Sequence, residues 1–166
     1  MCAAALARHA GARVIGTVRS SAEEPAARTA GAHEVVLNDQ GLVERMKTLA
    51  PADGIDHIVE VAFGANIDAD VEMLKMGGSI GAYATDHATP KIPFWLMVFK
   101  NIRVFFLGSD DFSAEAKVAA TRDLNDALRA GWAGFEIAER VPLAEIARAH
   151  ELVEHPARRG RVVVTV

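Results

Sequence analysis

Short β-branched runs alternate with helix-length segments along almost the whole chain, and this alternation constrains the fold more than any other feature. Arg13–Val18, Glu34–Leu37, Ile55–Val61, Ser79–Ala84 and Ile102–Leu107 each read as a buried strand. Between them lie Ala22–Ala30, Leu42–Leu49, Ile67–Lys75 and Phe94–Phe99, with helical composition or spacing. Leu42, Val43, Met46 and Leu49 recur on one helical face, and Pro51 stops that helix. Strands that alternate with helices cannot be joined by tight hairpins, so the expected arrangement is a parallel sheet with helices on both faces. Ser113 is placed to cap a long helix reaching about Ala130, with Glu115 favourable in its first turn. Glu136–Val141, a helix Leu143–Glu154 opened by Pro142, and the almost pure β segment Arg161–Val166 follow.

The order of the first elements matters. An Ala-rich helix from Cys2 to Gly11 comes before the strand Arg13–Val18. In a dinucleotide-binding βαβ unit, a strand and a glycine-rich phosphate loop precede such a helix. The expected fold is therefore α/β, a Rossmann-like parallel sheet with helices on both faces, lacking the first strand and the Gly-rich loop. The one glycine cluster, Gly77-Gly78-x-x-Gly81, precedes a strand, whereas a phosphate loop follows one. It reads as a helix C-terminus and a tight turn. Gly81 retains a second reading, because a glycine near a strand's carboxyl end lets a ligand approach the backbone.

The strand ending at Val18 carries the most specific chemistry. NAD-binding folds place an acid there for the ribose 2′-hydroxyl, whereas a 2′-phosphate needs cations and hydroxyls. Here stand Thr17, Arg19, Ser20 and Ser21, with no acid before Glu23. The segment favours NADP over NAD; a solvated turn bearing a surface arginine accounts for it equally well.

Several function classes are excluded or disfavoured. The net charge of −4, without a basic stripe, argues against nucleic acid. The most apolar stretch, Ile92–Gly108, is broken by Pro93, Lys100, Asn101 and Arg103, so no membrane span is expected. One cysteine, Cys2, leaves no disulfide and no Cys-cluster zinc site, and fits a cytoplasmic location. The six histidines are scattered singly, so no metal site is expected. Asp110-Asp111 reads as a solvated loop, and no serine sits in a G-x-S-x-G elbow. Phe94, Trp95, Phe99, Phe105 and Phe106 concentrate aromatic surface around Ile102–Leu107, which fits an edge strand pairing with a second copy.

The segments GARVIGTVRS, AGAHEVV, GIDHIVEVAFG, MLKMGGSIGAYA, AHELVEH and GRVVVTV, in this order, resemble the cofactor domain of medium-chain dehydrogenase/reductases. The resemblance is strongest to the zinc-independent NADPH:quinone oxidoreductase group, which includes the zeta-crystallins. It implies NADPH as cofactor and hydride transfer to a quinone or enone-like acceptor, and it names no catalytic side chain. It implies that Thr17, Arg19 and Ser20 meet the 2′-phosphate. Val61, Ala62 and Phe63 would lie beside the adenine-ribose side. Gly81, Ala82 and Tyr83 would line the nicotinamide approach, with Phe105, Phe106 and Leu107 near the carboxamide. Arg159 and Arg161 are weaker candidates for phosphate contact. It further implies a cofactor domain over residues 1–133, and over 134–166 a helix and strand that complete a substrate domain, leaving the last strand unpaired here. A homodimer through Ile102–Leu107 is the expected assembly. Two other readings stay open: a non-catalytic nucleotide-binding or oligomerisation module, and an enoyl reductase-like module.

Overall fold

The computed structural model describes residues 2–132, 134–155 and 160–166. Contacts divide the chain into two compact units, residues 3–119 and 120–166. The elements are α1 (Cys2–His9), β1 (Ile15–Val18), α2 (Glu24–Thr29), β2 (Glu34–Leu37), α3 (Leu42–Leu49), β3 (Ile55–Glu60), α4 (Phe63–Met73), β4 (Leu74–Ala82), α5 (Phe94–Phe99), β5 (Arg103–Phe106), α6 (Ala114–Arg129), β6 (Ile137–Pro142), α7 (Ile146–Glu154) and β7 (Arg161–Thr165). Among the described residues every strand pair is parallel. The first unit holds two sheets, ordered β2-β1 and β3-β4-β5, and the second holds β6-β7.

The first unit is built around two apolar clusters. Phe63, Ile67 and Val71 of α4 pack on Leu74, Ile80 and Ala82 of β4, with Ile58, Met97 and Val104 against them. Val36 of β2 packs on Leu42 and Met46 of α3. Ile15, at the start of β1, and Ile55, at the start of β3, both lean on this second cluster, so the two sheets are anchored at the same end.

The helix expected over Ile67–Lys75 starts at Phe63 and ends at Met73. Gly77-Gly78 is not its terminus. The β3–β4 register jumps from Ile55↔Leu74 to His57↔Ser79, so Lys75–Gly78 bulge out of β4 opposite Asp56. The carbonyls at the end of α4 are satisfied from elsewhere. Lys100 Nζ donates to the carbonyl oxygens of Val71 (2.7 Å), Glu72 (3.0 Å) and Leu74 (2.6 Å). A cation at a helix C-terminus also complements its dipole. Gly54 is required by the same turn: at φ +108°, a Cβ there would lie 2.8 Å from the Lys75 amide nitrogen and the Met73 carbonyl oxygen. Asn101, at φ +52°, closes α5 in the left-handed region.

In the second unit β7 is not left unpaired. It lies parallel to β6, joined through α7, with Val141 and Ala149 buried. A local βαβ unit pairs one edge of the last strand. Ser113 caps α6 as expected, its hydroxyl accepting from the Ala116 amide at 3.2 Å.

Candidate functional site

The residues at the carboxyl ends of β3, β4 and β5 surround an apolar hollow of about 530 Å³. Phe63, Ala82, Tyr83, Phe106 and Leu107 line it, with Pro90. Phe63 is buried and meets Phe106 edge to face, with ring centroids 5.2 Å apart. A smaller hollow of about 210 Å³ lies between α3 and the start of β4, at the opposite end of the strands. Ligands of open parallel sheets bind at the carboxyl ends, which selects the larger hollow.

The first turn of α4 is held at this end by a built polar arrangement. Thr85 Oγ1 accepts from the Gly64 amide (3.2 Å) and the His87 amide (3.2 Å), and the Phe63 amide donates to the Ala84 carbonyl (3.2 Å). A Cβ at Gly64 would lie 2.9 Å from Asp86 Oδ1, the movable end of a partly exposed side chain. Beneath the turn, Glu60 accepts from the Ala62 amide and from Asn66 Nδ2 (3.1 and 3.2 Å). Asp70 of α4 is also buried, at 3% exposure, and one of its oxygens, Oδ2, has no hydrogen-bond partner among the described residues. Burial, then the neighbouring charge of Glu60 and a hydrogen bond to it, pushes the Asp70 carboxyl up to about 8. Asp70 therefore keeps its proton at neutral pH. Neither acid is singled out by the sequence, because only the packing of α4 back onto β3 brings Glu60 and Asp70 together. The Glu in IVEVAFG was the only available signal.

Strand alternation sorts the expected residues. Phe63, Ala82, Tyr83, Phe106 and Leu107 are brought together. Phe105 pairs with Gly81 and points to the opposite face of the sheet from Phe106. A Cβ at Gly81 would make ordinary contacts, 3.4 Å from His57 Nε2 and 3.7 Å from Leu107 Cδ1, so packing does not demand a glycine there. Val61 is exposed beside the end of β3, and Ala62 caps α4. At the end of β1, Thr17, Arg19 and Ser20 are exposed. The Arg19 side chain is 89% exposed, and its guanidinium lies 4.0 Å from Glu23. The Arg19 amide donates to Glu23 Oε2 at 3.0 Å, so an acid does sit beside this turn. Arg161 belongs to the second unit, its guanidinium 5.2 Å from the Phe135 ring centroid. Arg159 lies outside the described residues. Among the described residues no group of three or more His, Cys, Asp or Glu is placed to hold a metal ion, and no helix is long and apolar enough to cross a membrane.

This architecture has many solved counterparts. The chain superimposes on the 2-haloacrylate reductase structure with a TM-score of 0.87 at 24% identity, covering 98% of this chain and 52% of that one. The Escherichia coli quinone oxidoreductase complexed with NADPH gives a TM-score of 0.77 at 22% identity, covering 99% and 53%. Among curated proteins, a quinone oxidoreductase of Pongo abelii is 26% identical over 160 residues, 93% of this chain and 47% of the relative. A 2-haloacrylate reductase of Burkholderia sp is 25% identical, over 95% of this chain and 49% of the relative. The chain thus spans about half the length of the curated relatives it matches. A family model described as zinc-binding dehydrogenase matches residues 1–121, and the chain belongs to that family.

Proposed function

We propose that this chain forms the cofactor side of an NADPH-dependent oxidoreductase of the quinone reductase type, acting in the cytoplasm on a quinone or enone-like acceptor. Residues 1–133 carry the cofactor side in this reading, and residues 134–166 belong with a substrate domain. The observation that carries it is the apolar hollow of Phe63, Ala82, Tyr83, Phe106 and Leu107 at the carboxyl ends of parallel strands. Its size and apolar walls fit a nicotinamide ring. The exposed Thr17, Arg19 and Ser20 offer the cation and hydroxyls that a 2′-phosphate needs. Bound NADPH supplies hydride chemistry. The chain's part is to hold the ring against Tyr83 and Phe106, with buried Phe63 packed behind Phe106, to exclude water with Leu107 and Pro90, and to discriminate the phosphate with Arg19.

Titration of the purified chain with NADPH and NADH, followed by the fluorescence of Trp95 and Trp132, tests this reading. The expected result is an NADPH preference of roughly tenfold or more that Arg19→Glu abolishes. Equal affinities, or no binding of either nucleotide by the folded chain, would overturn it. The second result would favour a non-catalytic module.

The assembly belongs to the same proposal. β5 is an edge strand, and Phe105 and Phe106 on it are 50% and 71% exposed. A second copy pairing through Ile102–Leu107 would cover them. Phe105→Lys is expected to halve the mass measured by light scattering. An unchanged mass removes this interface.

A further inference from the structure

The turn that follows β1 already holds an anion. Two hydrogen bonds close it: the Glu23 amide donates to the Ser20 carbonyl (3.0 Å), and the Arg19 amide donates to Glu23 Oε2 (3.0 Å). The carboxylate is thus seated on the backbone of the arginine. The Arg19 guanidinium does not share in that bond. It lies 4.0 Å from the other carboxylate oxygen, with its side chain 89% exposed, beyond hydrogen-bond range. Neighbouring arginines are committed. Arg13 and Arg28 meet carboxylates at 2.8 Å, and Arg45, beside the end of β2, donates to the Leu37 carbonyl (2.7 Å) and to Asp39. The hydroxyl of Ser20 makes no capping hydrogen bond, so the side chain that closes the turn is Glu23 and not the serine.

We propose that Glu23 sets how strongly this turn prefers a phosphorylated nucleotide: its carboxylate occupies the seat of a 2′-phosphate and must leave before one can enter. Resting on the NADPH reading for its ligand, this role makes Glu23 a competitor built into the chain. A phosphate monoester there needs the Arg19 amide, the Arg19 guanidinium and the hydroxyls of Thr17 and Ser20. The amide is taken, and a like charge stands beside the other donors. Entry of the phosphate breaks the Arg19 amide bond and turns the carboxylate out to solvent. An exposed, loosely matched ion pair costs little to open, whereas a phosphate engages amide and guanidinium together. A ribose 2′-hydroxyl is uncharged and can donate to the carboxylate where it stands. Glu23 therefore weakens binding of the phosphorylated nucleotide and not of the unphosphorylated one, which narrows the preference that Arg19 creates.

Calorimetric titration of the chain and of Glu23→Gln with adenosine 2′,5′-bisphosphate and adenosine 5′-phosphate tests this, with the Arg19 amide signal in NMR reporting where the ligand sits. Glutamine keeps the size of the side chain and an acceptor for the Arg19 amide, and removes the charge. Matching amide spectra outside residues 17–24 check that the fold is retained. The bisphosphate should bind Glu23→Gln roughly tenfold more tightly than the wild-type chain, the effect of about one charge-assisted hydrogen bond. It should shift the Arg19 amide in both proteins. The monophosphate should bind the variant no more tightly. An equal gain for both ligands would show a general relief of negative charge and overturn the proposal. Unchanged or weaker bisphosphate binding in the variant would make Glu23 a support of the turn and overturn it too. So would binding that leaves the Arg19 amide unmoved, or no binding of the bisphosphate to either protein. Neither ligand carries a nicotinamide, so the two readings fail separately. A selective gain for the bisphosphate without NADPH binding would sink the NADPH reading alone, and NADPH binding without that gain would sink the role of Glu23 alone.

Discussion

Replacing Asp70 with asparagine is expected to stabilise the chain at pH 7 and above and to remove most of a downward slope in its stability between about pH 4 and pH 8. Asp70 is buried beside Glu60, and its carboxyl sits at about 8 in the fold. An unfolded aspartate titrates near 3.9. The folded state therefore binds this proton more tightly than the unfolded state. The associated stability is complete below about pH 4, falls as pH rises towards 8, and changes no further once both states have lost the proton. The slope in this window is about 1.4 kcal/mol per pH unit, so the loss by pH 7 is on the order of 4 kcal/mol. Asparagine is neutral at every pH and still offers a donor to Glu60. Urea unfolding of both proteins at pH 5, 7 and 8.5 provides the check. Asp39 and Asp56 are held below their usual range by hydrogen bonds from Arg45 and Lys75, and they act with the opposite sign at lower pH. Their contribution is common to both proteins and cancels in the difference. Parallel pH profiles for wild type and D70N would show that the pair does not share its proton as described.

Phe63→Ala is expected to cost about 3–5 kcal/mol, the range for truncating a buried phenylalanine. The side chain is 2% exposed and packs among Ile67, Val71, Leu74, Ile80 and Ala82. Its removal leaves a cavity bounded by a helix and a strand that cannot collapse without breaking their own ladders. A domain of this size has a total stability of roughly 5–15 kcal/mol, so a substantial unfolded population near 37 °C is expected. The denaturation midpoint at unchanged m-value measures the loss, and Phe63→Leu should recover most of it. Phe106→Ala removes the partner ring from an exposed position and should change stability by about 0.5 kcal/mol or less. A similar cost for both alanine variants would contradict the assignment of Phe63 to the core and Phe106 to the wall of the hollow.

What could be read from the chain alone is what depends on neighbours within a few residues. The alternation of β-branched runs and helices established a parallel α/β fold, and α5 lies over Phe94–Phe99 as read. The Ser113 cap was legible because a cap needs only its own hydroxyl and an amide three residues on. The apolar ends of β4 and β5 were named as one candidate wall through the family resemblance, and the structure brings Ala82, Tyr83, Phe106 and Leu107 together. Their alternation was not resolved: Phe105 and Phe106 were grouped, and only the Gly81↔Phe105 and Ala82↔Phe106 register sends them to opposite faces. The bulge at Lys75–Gly78, the end of α4 capped from Lys100, and the β6–β7 pairing were invisible for a related reason. Each satisfies backbone groups with a partner some 20 or more residues away, and local propensity carries no information about that choice. The Glu60–Asp70 pair is the sharpest case. The sequence by itself determined that a strand ending near Glu60 is followed by a helix containing Asp70; only the packing of α4 on β3 decided that both acids are buried, because desolvation belongs to the assembled layers and not to either residue.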